Sequence, residues 1–261
     1  MADSELRGEL RRYLKQRLAA GETERLLARG PLPPSGQRAA AEPEAAGGAA
    51  VASGRAPARP ELPAADSRLV PAVPGDSIER IAAEVDTCTR CRLHATRTRA
   101  VPGVGPTHAG VVFIGEGPGA EEDAQGKPFV GPAGQLLTKI IESVKFRRED
   151  VFITNIVKCR PPKNRDPQPD EVAACEPFLK RQLALLAPKV IVALGRHAGS
   201  WLAGAPETMA ALRTGVRTYE GIRVFPTYHP AALLRNPQWK RPVWEDIQKV
   251  RAEYDRLRNE S

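Results

Sequence analysis

The chain has 261 residues, enough for one well-buried domain with further segments attached. Charged residues make up 27%, and a formal net charge of +8 with a pI near 9.6 points to a polyanionic partner, most simply nucleic acid. No stretch is long and apolar enough to span a bilayer, and the opening MADSELRGELRRYL carries no signal-peptide core, so no membrane partner and a cytoplasmic, reducing setting are expected.

Residues 1–30 read as an N-terminal amphipathic helix, with its regular part over 4–29. Leu6, Leu10, Leu14 and Leu18 recur every four residues and make one stripe, while Arg7, Arg11, Arg12, Lys15 and Arg17 crowd the other faces. Such a helix fits docking to a protein partner or an acidic surface, and equally a solvated tail. Residues 31–76 differ in kind. Within 31–75 there are 13 Ala, 9 Pro and 5 Gly and no aromatic residue, so the segment cannot bury enough surface to offset its ordering entropy and is expected to be a disordered linker.

The folded domain is expected over 77–261. Ser77 is placed to cap a helix over 78–86 that leads into Cys88. Strand and helix patterns then alternate: strands at 111–115, 151–157, 190–195 and 222–230, and helices at 131–144, 169–186, 196–203 and 242–257. Alternation of this kind makes an α/β fold, a parallel sheet covered on both faces. Ligands of such sheets bind beyond the carboxyl ends of the strands, which directs attention to 115–131, 155–160 and 228–235.

All four cysteines, Cys88, Cys91, Cys159 and Cys175, fit one four-thiolate metal site. Their spacing alone leaves zinc and an iron–sulfur cluster both open. In the first loop, Gly115, Gly117 and Ala120 match the dinucleotide fingerprint formally. Glu121, Glu122 and Asp123 follow where a pyrophosphate needs a positive helix end, and Pro118 removes a backbone donor, so that reading is rejected. The glycines instead let backbone amides approach a small planar ligand. Phe129 sits on the Gly/Pro-rich stretch that follows, suited to stacking on a base or to plugging the sheet edge. Asn155 ends the second strand, and its carboxamide matches the N3–H and O4 edge of uracil. His229, one of four histidines, arrives at the mouth of the last strand. Leu233 and Leu234 are expected to be exposed on a loop beside Arg235, as an apolar wedge next to a phosphate contact.

Together, GEGPGAEEDAQGKPFVGPAGQLL, TNIVKCRPPKNRDPQPDE, YHPAALLRNP and the four cysteines in their order resemble the family 4 uracil-DNA glycosylases, the iron–sulfur type, over about residues 78–257. The resemblance implies a three-layer αβα sandwich with a four-stranded parallel sheet. It implies a [4Fe–4S] cluster on Cys88, Cys91, Cys159 and Cys175, and removal of uracil from DNA. It implies that Phe129 stacks on a flipped uracil, Asn155 reads its edge, His229 contacts O2, and the backbone at Glu116 and Gly117 lines the pocket. Related families carry Asp where Gly117 stands, so Glu116 and Glu122 are the candidate acids for orienting water. The segment Arg160–Arg165 lacks the added histidine of the uracil-crosslinking branch, so covalent capture of DNA is not expected. The expected partner is uracil-containing DNA, bound by a monomer. A non-catalytic iron–sulfur DNA-binding module and a zinc scaffold are the competing readings.

Overall fold

The computed structural model describes residues 75–260. The expected helix within 1–30 and all but the end of the expected linker lie outside them.

The domain opens with α1 (Ile78–Asp86), capped by Ser77, whose hydroxyl accepts from the amide of Arg80 at 3.1 Å. There follow β1 (Val111–Gly115), α2 (Ala120–Gln125), α3 (Pro132–Ser143), β2 (Phe152–Asn155), α4 (Pro169–Leu186), β3 (Val190–Leu194), α5 (Arg196–Ala203), α6 (Met209–Leu212), β4 (Arg217–Tyr219), β5 (Ile222–Thr227), α7 (Pro230–Arg235) and α8 (Lys240–Asn259). The long elements fall where hydrophobic periodicity places them, with ends shifted by a few residues.

The sheet runs β2-β1-β3-β5-β4. β1 pairs parallel with β2 and β3, and β3 pairs parallel with β5, giving the four expected parallel strands. A fifth strand, β4, adds antiparallel to the outer edge of β5. Its Arg-Thr-Tyr sequence carries no apolar run, because it is a half-buried edge strand rather than a central one.

Every residue of β1 and β3 is buried, as expected for strands covered on both sides. The period-two alternation divides them between two cores. Val112 and Ile114 pack with Ile81, Val85, Phe178, Leu183 and Ala198 of α1, α4 and α5. Val111 and Phe113 pack with Leu137, Ile141, Val243, Ile247 and Val250 of α3 and α8 on the other face. These are the three layers of an αβα sandwich. No helix among the described residues is long and apolar enough to cross a membrane.

Candidate active site and thiolate centre

The carboxyl ends of β1, β2 and β5 open onto a cavity of about 390 Å³, lined by Glu116, Phe129, Asn155, His229 and Arg235 among others. Parallel pairing sets this up: Gly115 lies beside Asn155 in register, and the amides of Ile156 and Val157 carry the pairing on to the carbonyls of Gly115 and Glu116 at 3.0 and 3.1 Å. Gly115 has to be glycine. A Cβ there would run into Asn155 Oδ1 and come within 2.6 Å of Phe129 Cζ, so ring and carboxamide meet over one bare backbone position. The rings of Phe129 and His229 lie 5.5 Å apart between centroids, tilted by 33°. The structure therefore brings Phe129, Asn155 and His229 to one cavity.

Asn155 is 1% exposed, and its Oδ1 is buried without a hydrogen-bond partner in the protein. An unpaired buried acceptor is costly, which marks it as a group awaiting a donor from a ligand. His229 caps α7: its Nδ1 accepts from the amide of Ala231 at 3.2 Å. Burial, reinforced by the charge of Arg235, lowers its pKa to about 4, so the ring is neutral near pH 7 with its hydrogen on Nε2. The strand exit that delivers it is braced by Asp246, which accepts from Thr227 Oγ1 at 2.8 Å and from Arg213 Nε at 2.7 Å.

The two candidate acids differ. Glu122 uses both oxygens on backbone amides: Oε2 accepts from Gly119 at 3.1 Å, and Oε1 from Val130 at 2.9 Å and Gly131 at 3.1 Å. It braces the loop. Glu116 keeps its carboxylate free of such ties, and burial raises its pKa against the opposing charges of His197 and Arg196. Its Oε2 lies 3.8 Å from His197 Nε2, which in turn lies 3.0 Å from Asp166 Oδ2. Gly117 faces Val157, whose Cγ2 would sit 2.8 Å from a Cβ at that position, so a side chain there has no room without rearrangement.

One expectation needs correcting. Leu233 is not exposed on a loop. It is 1% exposed on α7, packed into the core that also holds Phe129 and Leu137. Pro230 and Leu233 form the inward i, i+3 face of this short helix, and Leu234, 51% exposed, points out beside Arg235.

The four cysteines line a second, smaller cavity between α1, the Cys88–Cys91 turn, the loop after β2 and α4. The donor set suits a metal centre. Cys159 Sγ accepts from Arg97 Nη1 at 3.0 Å, and Cys175 Sγ accepts from the amide of Lys158 at 3.2 Å, contacts that favour sulfur carrying negative charge. Burial pushes the Cys175 thiol up to about 11, so a thiolate there needs a bound cation to hold it.

Lys158 escaped the sequence reading. It is 1% exposed, with its pKa lowered by burial to about 7, and Nζ donates to Thr154 Oγ1, the carbonyl of Asn155 and Gln182 Oε1 at 2.6, 2.8 and 2.7 Å. A lysine inside the apolar run before Cys159 was the available signal. His197 and Asp166 were missed as well. His197 follows β3, the one parallel strand whose carboxyl end lies outside the segments 115–131, 155–160 and 228–235.

Residues 102–248 match the family model described as the uracil DNA glycosylase superfamily. A type-4 uracil-DNA glycosylase of Sulfurisphaera tokodaii is 48% identical over 185 residues, covering 67% of this chain and 84% of the relative. The type-4 enzyme of Saccharolobus solfataricus is 49% identical over 185 residues, covering 67% and 86%. That of Archaeoglobus fulgidus is 45% identical over 183 residues, covering 67% and 92%. The fold, the site at the sheet's carboxyl edge and these similarities agree, and the chain belongs to the uracil-DNA glycosylase superfamily, in its type-4 branch.

Proposed function

We propose that this chain is a monofunctional uracil-DNA glycosylase, hydrolysing the N-glycosidic bond of deoxyuridine in single- and double-stranded DNA to start base excision repair. In the same proposal, Cys88, Cys91, Cys159 and Cys175 hold a [4Fe–4S] cluster. The observation that carries the reading is the unpartnered Oδ1 of Asn155 in the cavity shared with Phe129 and His229. Uracil N3–H is the donor that this atom lacks.

The target nucleotide leaves the helix at a cost of a few kcal/mol, least for a mismatch or a single strand. Leu234 fills the gap and Arg235 holds phosphate; both are exposed on α7. Phe129 stacks on the extruded ring and Asn155 reads its edge. The N1–C1′ bond then breaks, with its electron pair departing on uracil. The neutral His229 donates from Nε2 to O2 and takes up part of that charge, as an oxyanion hole does. Glu116 orients a water whose oxygen bonds to C1′ and accepts the proton that water loses, while the uracil anion is reprotonated from solvent. Glu122 holds the loop that presents Phe129. When bound, the cluster ties the 88–91 turn to the loop at Cys159 and to α4, and that loop runs on into the cavity wall at Pro161 and Arg165.

The test is uracil release from a single-stranded uracil oligonucleotide, with Asn155→Ala and His229→Ala beside the wild type. Release by the wild type and losses of about 10²–10³ in each variant are expected. No release by the wild type ends the reading, and binding of uracil DNA without base loss assigns a non-catalytic DNA-binding module instead.

A further inference from the structure

Phe129 occupies a backbone conformation that residues with a Cβ avoid, with φ at 52°. Strain of this kind persists only where the surroundings over-determine it. Here the turn is gripped from two sides. Glu122 takes the amides of Val130 and Gly131, as described. Arg148, which lies just ahead of β2 and about twenty residues after the turn it grips, takes the carbonyls. Its Nη2 donates to the carbonyl oxygens of Pro128 at 2.8 Å and Phe129 at 2.9 Å, and its Nη1 is steadied by Thr138 Oγ1 of α3 at 2.9 Å. Gly134 completes the arrangement, because a Cβ there would collide with the Phe129 carbonyl.

We infer that Arg148 is a positioning residue for base excision: its guanidinium fork fixes the turn at Phe129, so that the ring faces the cavity before any base arrives. No carboxylate forms an ion pair with Arg148 among the described residues; its hydrogen bonds go to two carbonyls of one strained turn and one hydroxyl. The planar guanidinium lets Nη2 hold two adjacent carbonyls while Nη1 is anchored on Thr138; a lysine ends in one nitrogen on a flexible stem and has no second arm to anchor. A ring held in place in the free protein pays no ordering cost when the base binds. Without Arg148 the turn relaxes toward negative φ and carries the ring away from its place opposite His229. The inference rests on the reading of Phe129 as the stacking residue.

The experiment is a double-mutant cycle on kcat/KM for a uracil oligonucleotide, with Phe129→Ala, Arg148→Met and the double variant, and Arg148→Lys as the conservative control. Arg148→Met is expected to lose at least about tenfold, the loss of charge-assisted hydrogen bonds. Arg148→Lys recovers only part of it. In the Phe129→Ala background, Arg148→Met adds almost nothing, because its effect passes through the ring. If Arg148→Met does not fold, Thr138→Val, which frees one arm of the fork, replaces it in the same cycle. A full multiplicative loss in the Phe129→Ala background, or wild-type kcat/KM in Arg148→Met, overturns the inference while leaving the stacking reading intact. Wild-type kcat/KM in Phe129→Ala overturns the stacking reading itself, and this inference with it.

Discussion

The amide of Ala231 donates to Nδ1 of His229 at 3.2 Å, and this one bond decides where the imidazole keeps its hydrogen. With the Nδ1 lone pair engaged, the neutral ring carries its proton on Nε2, the nitrogen left to meet a ligand. Helix α7 thus orients the side chain that caps it.

The pH dependence follows from this geometry. Burial and the neighbouring Arg235 place the His229 pKa at about 4, below the ordinary value of 6.5. The working neutral form is therefore populated throughout the range above about 4, and kcat shows no inflection from this residue near its ordinary pKa. His229→Asn retains a side chain able to cap α7 but lacks the Nε2 donor, and a loss of about 10²–10³ in kcat is expected. The same shift has a stability sign. The stabilisation from a neutral buried ring is complete above the unfolded pKa and is lost as pH falls toward about 4. Urea midpoints for wild type and His229→Asn, measured over that interval, check it: the wild type falls more steeply.

In the proposed mechanism Glu116 supplies the acid limb. Its carboxyl is raised from the ordinary glutamate range, by burial first and against the opposing charge of His197. Glu116 works ionised, so activity is lost on acidification at a pH above that of a free glutamate side chain. Glu116→Gln is expected to lower kcat by about 10²-fold or more and to abolish the acid limb, read from single-turnover rates across pH. A limb that survives the substitution removes Glu116 from the water-orienting role.

Asn155 separates function from stability. Its Oδ1 is buried and unpaired in the free protein, a state that costs about 1–3 kcal/mol. Asn155→Leu keeps similar bulk and removes the orphaned acceptor. The expected outcome is a melting temperature equal to or above that of the wild type, together with loss of uracil release. A large fall in Tm means that the carboxamide has a structural partner after all.

Much of this site is legible in the sequence because parallel-sheet logic is local. A buried apolar run ending in a polar residue announces a strand mouth, and Asn155 and His229 are both such residues; Phe129 is marked by its Gly/Pro-rich surroundings. What escapes is tertiary. Arg148 acts through the carbonyls of Pro128 and Phe129, and Lys158 joins the nearby carbonyl of Asn155 to Gln182 of α4, and no pattern of side-chain types encodes such pairings. β4 was invisible because a three-residue edge strand, half-buried at Arg217 and Tyr219 and exposed at Thr218, has no hydrophobic signature. Leu233 was misplaced for lack of a helix: once Pro230 is taken as the first turn of α7, i, i+3 spacing turns Leu233 inward and Leu234 outward.

The thiolate centre predicts a stability that depends on metal. Its cysteines are buried or half-buried, and Cys175, with its thiol raised to about 11, cannot hold a negative charge unaided. With the proposed [4Fe–4S] cluster, Cys175→Ala is expected to abolish iron binding and to cost more than about 4 kcal/mol, in the range reserved for lost metal sites. Iron assay and denaturant unfolding read the two effects. A variant that keeps wild-type stability without iron breaks the link between cluster and fold.

Lys158 joins that centre to Asn155 at the carboxyl end of β2. Its amide donates to Cys175 Sγ, and its buried ammonium donates to the carbonyl of Asn155, to Thr154 Oγ1 and to Gln182 Oε1. Lys158→Met leaves three buried acceptors short of a donor, so a loss of at least about 1–3 kcal/mol is expected, and kcat falls because the Asn155 backbone loses its anchor. Adding Thr154→Val and Gln182→Leu removes two of those acceptors. Matching apolar groups in place of both partners is close to neutral for folding, so part of the stability should return, less the cost at the Pro102 carbonyl, which loses its donors Thr154 Oγ1 and Gln182 Nε2. The rate should not, because the carbonyl of Asn155 still has no ammonium to hold it. Recovery of kcat along with Tm in the triple variant would show that Lys158 serves the core alone; recovery of Tm without kcat identifies it as the strut that sets the carboxamide in register with the cavity.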